Sequence, residues 1–390
     1  MYKLLFVALI ITFLISIALF ALQKKEFIQP KAPTEEPLKN FEELTHSYSY
    51  YEEEVYYENK DAGILISGTL ALPKSQRFSS VVLLIPGYGK HDRNVRMMGN
   101  NYFWVVADYL ANQGVGVLRF DQRGLGKSTG NYDGATTQDF AEDVLAVISY
   151  LKSRKDVTGC TIGLIGLSEG GLIASIVAAK SKDVSYIVLM GPAVQKSVDD
   201  LVEQSGLQLR ADAATEELMG YDRELRKKIY TTIRQETDYD KAEKIVQNYV
   251  THYLASLSES QKIEAEKLPF AFSESKKDKL IKTFNSAWYH FFLTYDRTAA
   301  LETITILVLA VNGTLDWIAS THKVFPVISQ SLEKAGNKDY MMIELPNLNH
   351  MFQKAKTGSF AEYAAIDEII VPLALETIAH WILKKTVKNK

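Results

Sequence analysis

The sequence predicts an α/β protein built on a mostly parallel central sheet, with helices on both faces and a helical cap insertion. Three observations carry that prediction. Between residues 81 and 190, short apolar runs of strand length alternate with helix-period segments, the signature of βαβ units. From about 198 to 300 strand signals nearly vanish, and charged, amphipathic helical patterns replace them. The alternation then resumes at 304 and runs to about 385.

Taken in order, the chain opens on an uncharged apolar run over residues 4–22, preceded by Lys3 and followed by Lys24 and Lys25. A signal-peptide core is about 7–15 residues long and ends in a small-x-small cleavage site, whereas a membrane-spanning helix needs about 20. The run has the second length, and Leu19, two residues before the candidate cleavage point at Ala21, is not small. An uncleaved anchor is therefore favoured over a cleaved signal peptide. With the short N-terminal tail kept inside, the rest of the chain lies outside the cytoplasm. Residues 23–45 are charged and carry Pro30, Pro33 and Pro37, the composition of a linker.

Residues 46–57 and 64–72 read as an antiparallel hairpin about Asn59-Lys60-Asp61-Ala62-Gly63, with Tyr48, Tyr50, Tyr51, Tyr56 and Tyr57 as cross-strand packing. The continuous apolar run 81–85 is a strand buried on both faces. Helix, strand, helix, strand, helix and strand follow at 102–112, 115–120, 139–151, 161–165, 172–180 and 186–190. After the cap come a strand at 304–311, a helix at 320–335, a strand at 340–344 and a last helix at about 367–385. The core thus comprises 46–197 and 301–390, and the cap 198–300.

Composition narrows the function. With 390 residues, 47% hydrophobic and 23% charged, the chain can bury a large core. A net charge of −3 without a basic block gives no footing for nucleic acid. The single cysteine, Cys160, forms no intrachain disulfide and reads as a small packing residue. No Cys/His spacing suggests a metal, and no cofactor is implied. Nothing in the sequence sets the oligomeric state.

The chemistry centres on Gly166-Leu167-Ser168-Glu169-Gly170, where an apolar run breaks into an Ala/Ile-rich helix. A bare Gly-x-Ser-x-Gly arises by chance in roughly one chain in eight of this length, so the motif needs partners. In a strand–turn–helix setting the glycines permit a strained turn that lifts Ser168 out of the sheet, with the first helical amides facing whatever the serine attacks. A serine hydroxyl also needs a base. His322 falls within a helix and His380 beside Trp381 on the last helix, whereas His350 lies just beyond the strand at 340–344, at the edge where ligand chemistry collects in parallel sheets. Asp316, after Asn312-Gly313-Thr314-Leu315, is placed to hold the imidazole, although a turn aspartate before a helix is more often a cap. Serine, acid and base then follow one another in the order known for a nucleophile-elbow serine. Two amides are required for an oxyanion: those of Glu169 and of Tyr88, with Gly87 letting the backbone approach.

Gly126-Lys127-Ser128-Thr129 imitates the end of a phosphate-binding loop, but that loop needs glycine where Asp121 stands. Asp121 and Arg123 are read as structural supports of the site, with Gly87, Gly166 and Gly170. The spacing of Phe284, Trp288, Phe291 and Phe292 fits a helix's buried face and fits a pocket lining equally.

Several motifs in one order resemble the α/β-hydrolase superfamily, specifically its capped bacterial serine-esterase branch related to serine-aminopeptidase-like hydrolases. They are Gly-Thr-Leu at 68–70, Gly-Tyr-Gly-Lys-His-Asp-Arg-Asn at 87–94, Arg-Phe-Asp-Gln-Arg-Gly-Leu-Gly-Lys-Ser at 119–128, Gly-Leu-Ser-Glu-Gly-Gly at 166–171 and Leu-Asn-His-Met-Phe-Gln at 348–353. The resemblance implies an α/β-hydrolase fold and a small-molecule ester substrate, cleaved through an acyl-enzyme by Ser168, His350 and Asp316. A peptidase or a catalytically silent binding module on the same fold are the alternatives. The chain departs from the branch at Pro86 and Tyr88, where His-Gly or Ser-Gly-Ser-Gly is usual, and at Leu167, where histidine is usual. Both departures alter the pocket's shape.

Overall fold

The computed structural model describes residues 49–75 and 78–386. The apolar run at 4–22 and the linker lie outside them; among the described residues no helix is long and apolar enough to cross a membrane.

The first two strands, β1 (Tyr50–Asn59) and β2 (Ile64–Pro73), form the antiparallel hairpin about the Asn59–Gly63 turn. Two of its tyrosines reach helices, while Tyr51 and Tyr56 are exposed. Tyr57 stacks on Tyr150 at 5.3 Å, and the Tyr50 hydroxyl donates to Asp108 at 2.7 Å. Next come β3 (Ser80–Ile85), a two-residue pair β4 (Arg96–Met97) and β5 (Asn100–Asn101), α1 (Tyr102–Asn112), β6 (Gly116–Phe120) and α2 (Thr137–Ser153). They lead into β7 (Thr161–Leu167), α3 (Glu169–Lys180) and β8 (Val184–Met190).

The eight main strands form one sheet in the order β1-β2-β6-β3-β7-β8, followed by β9 (Leu307–Gly313) and β10 (Tyr340–Leu345). β1 and β2 run antiparallel, as do β2 and β6; every other pairing is parallel. The central strands β3, β6 and β8 are buried almost throughout, which is why they read as unbroken apolar runs. The parallel strands turn their carboxyl ends to one edge, so the loops after β3, β7, β8, β9 and β10 gather there.

Between β8 and β9 the chain makes six helices: α4 (Val198–Ala211), α5 (Glu216–Gln235), α6 (Tyr239–Ser256), α7 (Glu259–Lys267), α8 (Lys277–Phe284) and α9 (Ala287–Thr294). Five start on a side chain that accepts an N-terminal amide: Ser197, Thr215, Asp238, Ser258 and Ser286. Their apolar faces merge with the core of the sheet.

The remaining helices are α10 (Thr321–Lys334), α11 (Phe360–Tyr363) and α12 (Pro372–Thr386). Most element boundaries shift by a few residues from the sequence expectation, and two of the shifts have a plain local reason. Residues 301–303 form a tight 3₁₀ turn, so β9 begins at Leu307 rather than 304. The last helix begins at Pro372 rather than 367, with proline in the first turn, where its missing N–H loses nothing.

Candidate active site

Ser168 sits between β7 and α3 with φ 61° and ψ −118°, a left-handed conformation that a non-glycine residue adopts only under constraint. The constraint is visible. The Ser168 amide donates to Met190 O at 2.8 Å, and its carbonyl accepts from Gly171 N at 2.9 Å and Ala193 N at 3.2 Å. A Cβ on Gly166 would lie 2.1 Å from Gly170 O, and one on Gly170 would lie 2.1 Å from Ile85 O. Both glycines are therefore obligatory for so close a crossing of strand, turn and helix.

The loops after β9 and β10 bring the other two side chains. Leu315 N donates to Leu348 O at 2.9 Å, and Thr314 N to Leu345 O at 2.9 Å, which ties the loop carrying Asp316 to the loop carrying His350. His350 N donates to the buried Tyr363 hydroxyl of α11 at 3.3 Å. His350 Nδ1 lies 2.8 Å from Asp316 Oδ2, and Nε2 lies 2.8 Å from Ser168 Oγ. With the Nδ1 proton directed at Asp316, Nε2 is free to accept from the serine hydroxyl. Asp316 does not cap a helix, since α10 starts at Thr321; its Oδ1 instead accepts from Ile318 N at 2.9 Å and Ala319 N at 2.8 Å. The structure thus joins Ser168, His350 and Asp316, while His322 and His380 are exposed on α10 and α12.

Gly87 and Tyr88 stand on the opposite side of Ser168. A Cβ on Gly87 would lie 3.1 Å from Ser168 Cβ, so glycine here lets the loop press on Ser168. The amides of Tyr88 and Glu169 donate to no backbone carbonyl among the described residues. Around Ser168 runs a cleft of about 20 Å³, lined by Gly87, Tyr88, His91, Met97, His350 and Met351 among others. That is room for about one water.

Asp121 and Arg123 serve the scaffold. Against the penalty of burial, hydrogen bonds from Arg93, Ser67 and the Lys127 and Arg93 amides hold the Asp121 carboxyl down at about 2. Arg123 grips Asp143 of α2 with two bonds of 2.7 and 2.8 Å. Cys160 is half-buried, its thiol 3.4 Å from Phe78 O. Among the described residues no group of three His, Cys, Asp or Glu is placed to hold a metal ion.

Three features escaped the sequence reading. Gly191, at φ 53°, lies under the base and acid; a Cβ there would be 3.0 Å from both His350 Nδ1 and Asp316 Oδ2. The strand ending in Met190-Gly191-Pro192 carried that signal. His91 lines the cleft, and burial pushes its imidazole down to about 4. The third is Glu169: its carboxylate is buried and accepts from Thr137 Oγ1 at 2.6 Å and Trp288 Nε1 at 2.7 Å. Of the four aromatics singled out between 284 and 292, Phe284 and Phe292 are fully buried and Phe291 stacks on Tyr295 at 5.0 Å, whereas Trp288 reaches Glu169 of α3.

Comparison with known families settles the ancestry of this arrangement. A family model described as serine aminopeptidase, S33, matches residues 76–354, a span that includes Ser168, Asp316 and His350. The chain belongs to this α/β-hydrolase family. Esterase EstD of Thermotoga maritima is 27% identical over 138 residues, 35% of this chain and 33% of the relative. The mitochondrial palmitoyl-protein thioesterase ABHD10 of Bos taurus is 28% identical over 135 residues, 35% of this chain and 39% of the relative. The chain thus spans a third to two-fifths of these curated relatives. A solved esterase of Pyrococcus furiosus superimposes with a TM-score of 0.52 at 15% identity, covering 88% of this chain and 94% of that one. At that identity the likeness speaks for the α/β-hydrolase fold.

Proposed function

We propose that this family member is a serine hydrolase that cleaves carboxylic esters of short acyl chains through an acyl-enzyme. The observation that carries the reading is the pair of 2.8 Å contacts from His350, one to Ser168 Oγ and one to Asp316 Oδ2. Ser168 Oγ attacks the ester carbonyl carbon while its proton passes to His350 Nε2, and Asp316 stabilises the resulting imidazolium. The negative charge on the former carbonyl oxygen is held by the Tyr88 and Glu169 amides. The imidazolium protonates the departing alkoxide, leaving an acyl group on Ser168. Water, deprotonated by His350, then releases the acid. The names of the Thermotoga and bovine relatives, an esterase and a thioesterase, support an acyl-oxygen or acyl-sulfur substrate. The narrowness of the cleft favours a short acyl group over a long one.

The family description favours a second reading, amide hydrolysis by the same residues. Turnover of p-nitrophenyl acetate and butyrate set against aminoacyl p-nitroanilides separates the two. The ester reading predicts that the esters are hydrolysed by far the faster, and preference for the anilides would overturn it. We further place the enzyme outside the cytoplasm, held to the membrane through residues 4–22, on the strength of that apolar run. Recovery of the full chain in the soluble cytoplasmic fraction would contradict this.

A further inference from the structure

Ser168 is only 3% exposed, and the space beside it holds about one water, so even a short acyl group needs a wall of the cleft to give way. Four of the lining residues belong to the elbow or to the turn carrying His350, and moving those would dismantle the site. The face formed by the loop after β3 is different, because there the half-buried Tyr88 is the bulkiest residue lining the cleft. Behind its ring lies Trp288 of α9, with ring centroids 3.9 Å apart; the indole itself does not line the cleft. Tyr88 therefore cannot swing outward while the indole stays in place.

What keeps the indole in place is Glu169, the residue that follows the nucleophile. Trp288 Nε1 donates to Glu169 Oε1 at 2.7 Å, and Thr137 Oγ1 of α2 donates to the same oxygen at 2.6 Å. The Trp288 hydrogen bond joins the cap helices directly to α3. All three groups are buried, at 4% exposure for Trp288, 1% for Glu169 and 0% for Thr137. A charge-assisted bond shielded from water is strong, and stacking of Trp288 on Phe292 at 5.0 Å extends the contact into the cap.

We propose that Trp288, bolted to the Glu169 carboxylate behind the Tyr88 ring, is a positioning residue that sets the longest acyl group the site accepts. The proposal rests on the ester-hydrolase reading above. A small acyl group fits with slight displacement of Tyr88. A longer one drives Tyr88 back against the indole and must break the bond to Glu169. The bolt also responds to pH. Burial pushes the Glu169 carboxyl up to about 7, against the lowering effect of the Thr137 and Trp288 hydrogen bonds. The other titratable groups facing it are the Tyr88 and Tyr132 phenols, and no cation is among its partners. The acceptor thus gains charge, and the bolt tightens, as pH rises through about 7.

The test is a p-nitrophenyl ester series from acetate to decanoate, with kcat/KM for octanoate divided by that for acetate as the readout. Trp288→Ala is expected to raise this ratio by about tenfold or more, the scale of a hydrogen bond to a charged group. Trp288→Phe removes the donor and keeps the ring, and is expected to raise the ratio less. It also carries the test should the alanine variant fail to fold. Glu169→Gln keeps an acceptor that does not titrate, so its ratio is expected to stay level between pH 6 and 8, where the wild-type ratio is expected to fall. An unchanged ratio in the folded tryptophan variants, with acetate still turned over, would overturn the proposal. A wild-type protein that hydrolyses no ester in the series would remove the ester reading itself, and the bolt with it.

Discussion

Two buried carboxylates flank Ser168, and they are built in opposite ways. Asp316 is met by donors on every side: His350 Nδ1 at 2.8 Å, the Ile318 and Ala319 amides at 2.9 and 2.8 Å, and Asn312 Nδ2 at 3.4 Å. Glu169 has two neutral donors, both on one oxygen. The first is an anion's cradle beside a base. The second is a carboxyl left short of partners, pushed up to about 7 by burial, at the joint between nucleophile helix and cap. The lesson is that equal burial does not mean equal duty; the number and charge of the donors decides it.

That contrast breaks most readily on the Asp316 side. Asp316→Asn keeps an oxygen for the loop amides but turns an NH₂ towards Nδ1, which forces the wrong imidazole tautomer. A fall of about ten-thousandfold in kcat is expected, with little change in thermal stability. Stopped or steady-state ester assays check it, and a loss below about tenfold would show that Asp316 is only a turn residue.

On the Glu169 side the larger effect is on stability. Its folded pKa lies above the unfolded value near 4.5, so the folded protein binds the proton more tightly. The contribution of Glu169 to stability is therefore fully present below about pH 4.5 and is lost as pH climbs through about 7. Relative to Glu169→Gln, the decline reaches roughly 3 kcal/mol. Urea unfolding of both proteins at pH 5 and pH 8 measures it; a constant difference between them would mean that the carboxyl is not buried as described.

The smallest effect is expected at Gly191. An alanine Cβ at φ 53° would stand 3.0 Å from His350 Nδ1 and Asp316 Oδ2, so the pair must shift by a few tenths of an ångström. Gly191→Ala is expected to lower kcat about tenfold while leaving KM within about twofold. Wild-type kinetics would show that the base and acid tolerate more displacement than their packing suggests.

Much of this architecture was legible in the sequence for local reasons. Buried parallel strands announce themselves as apolar runs such as 81–85, and Gly166, Ser168 and Gly170 are consecutive enough to spell a strand–turn–helix. Asp316 and His350 each follow a recognisable strand, so their arrival at one edge follows from the topology. What stayed hidden was the meeting of distant surfaces. Trp288 and Glu169 are separated by 119 positions and Thr137 and Glu169 by 32, and no periodicity relates them. Helical spacing placed Trp288, Phe284 and Phe292 on one buried face, but it could not say that the indole reaches Glu169 of α3. The tyrosines of β1 show the same limit from the other direction. Alternation revealed the strand, while their partners Tyr150 and Asp108 come from α2 and α1.

The central claim is that Ser168 is an activated nucleophile held by His350 and Asp316. Treatment with a fluorophosphonate probe, followed by mass mapping of the peptide that contains residue 168, tests it most directly. The account predicts a single covalent adduct on Ser168, with both adduct and ester turnover abolished in Ser168→Ala. An unlabelled Ser168, together with ester hydrolysis that survives in Ser168→Ala, would contradict it.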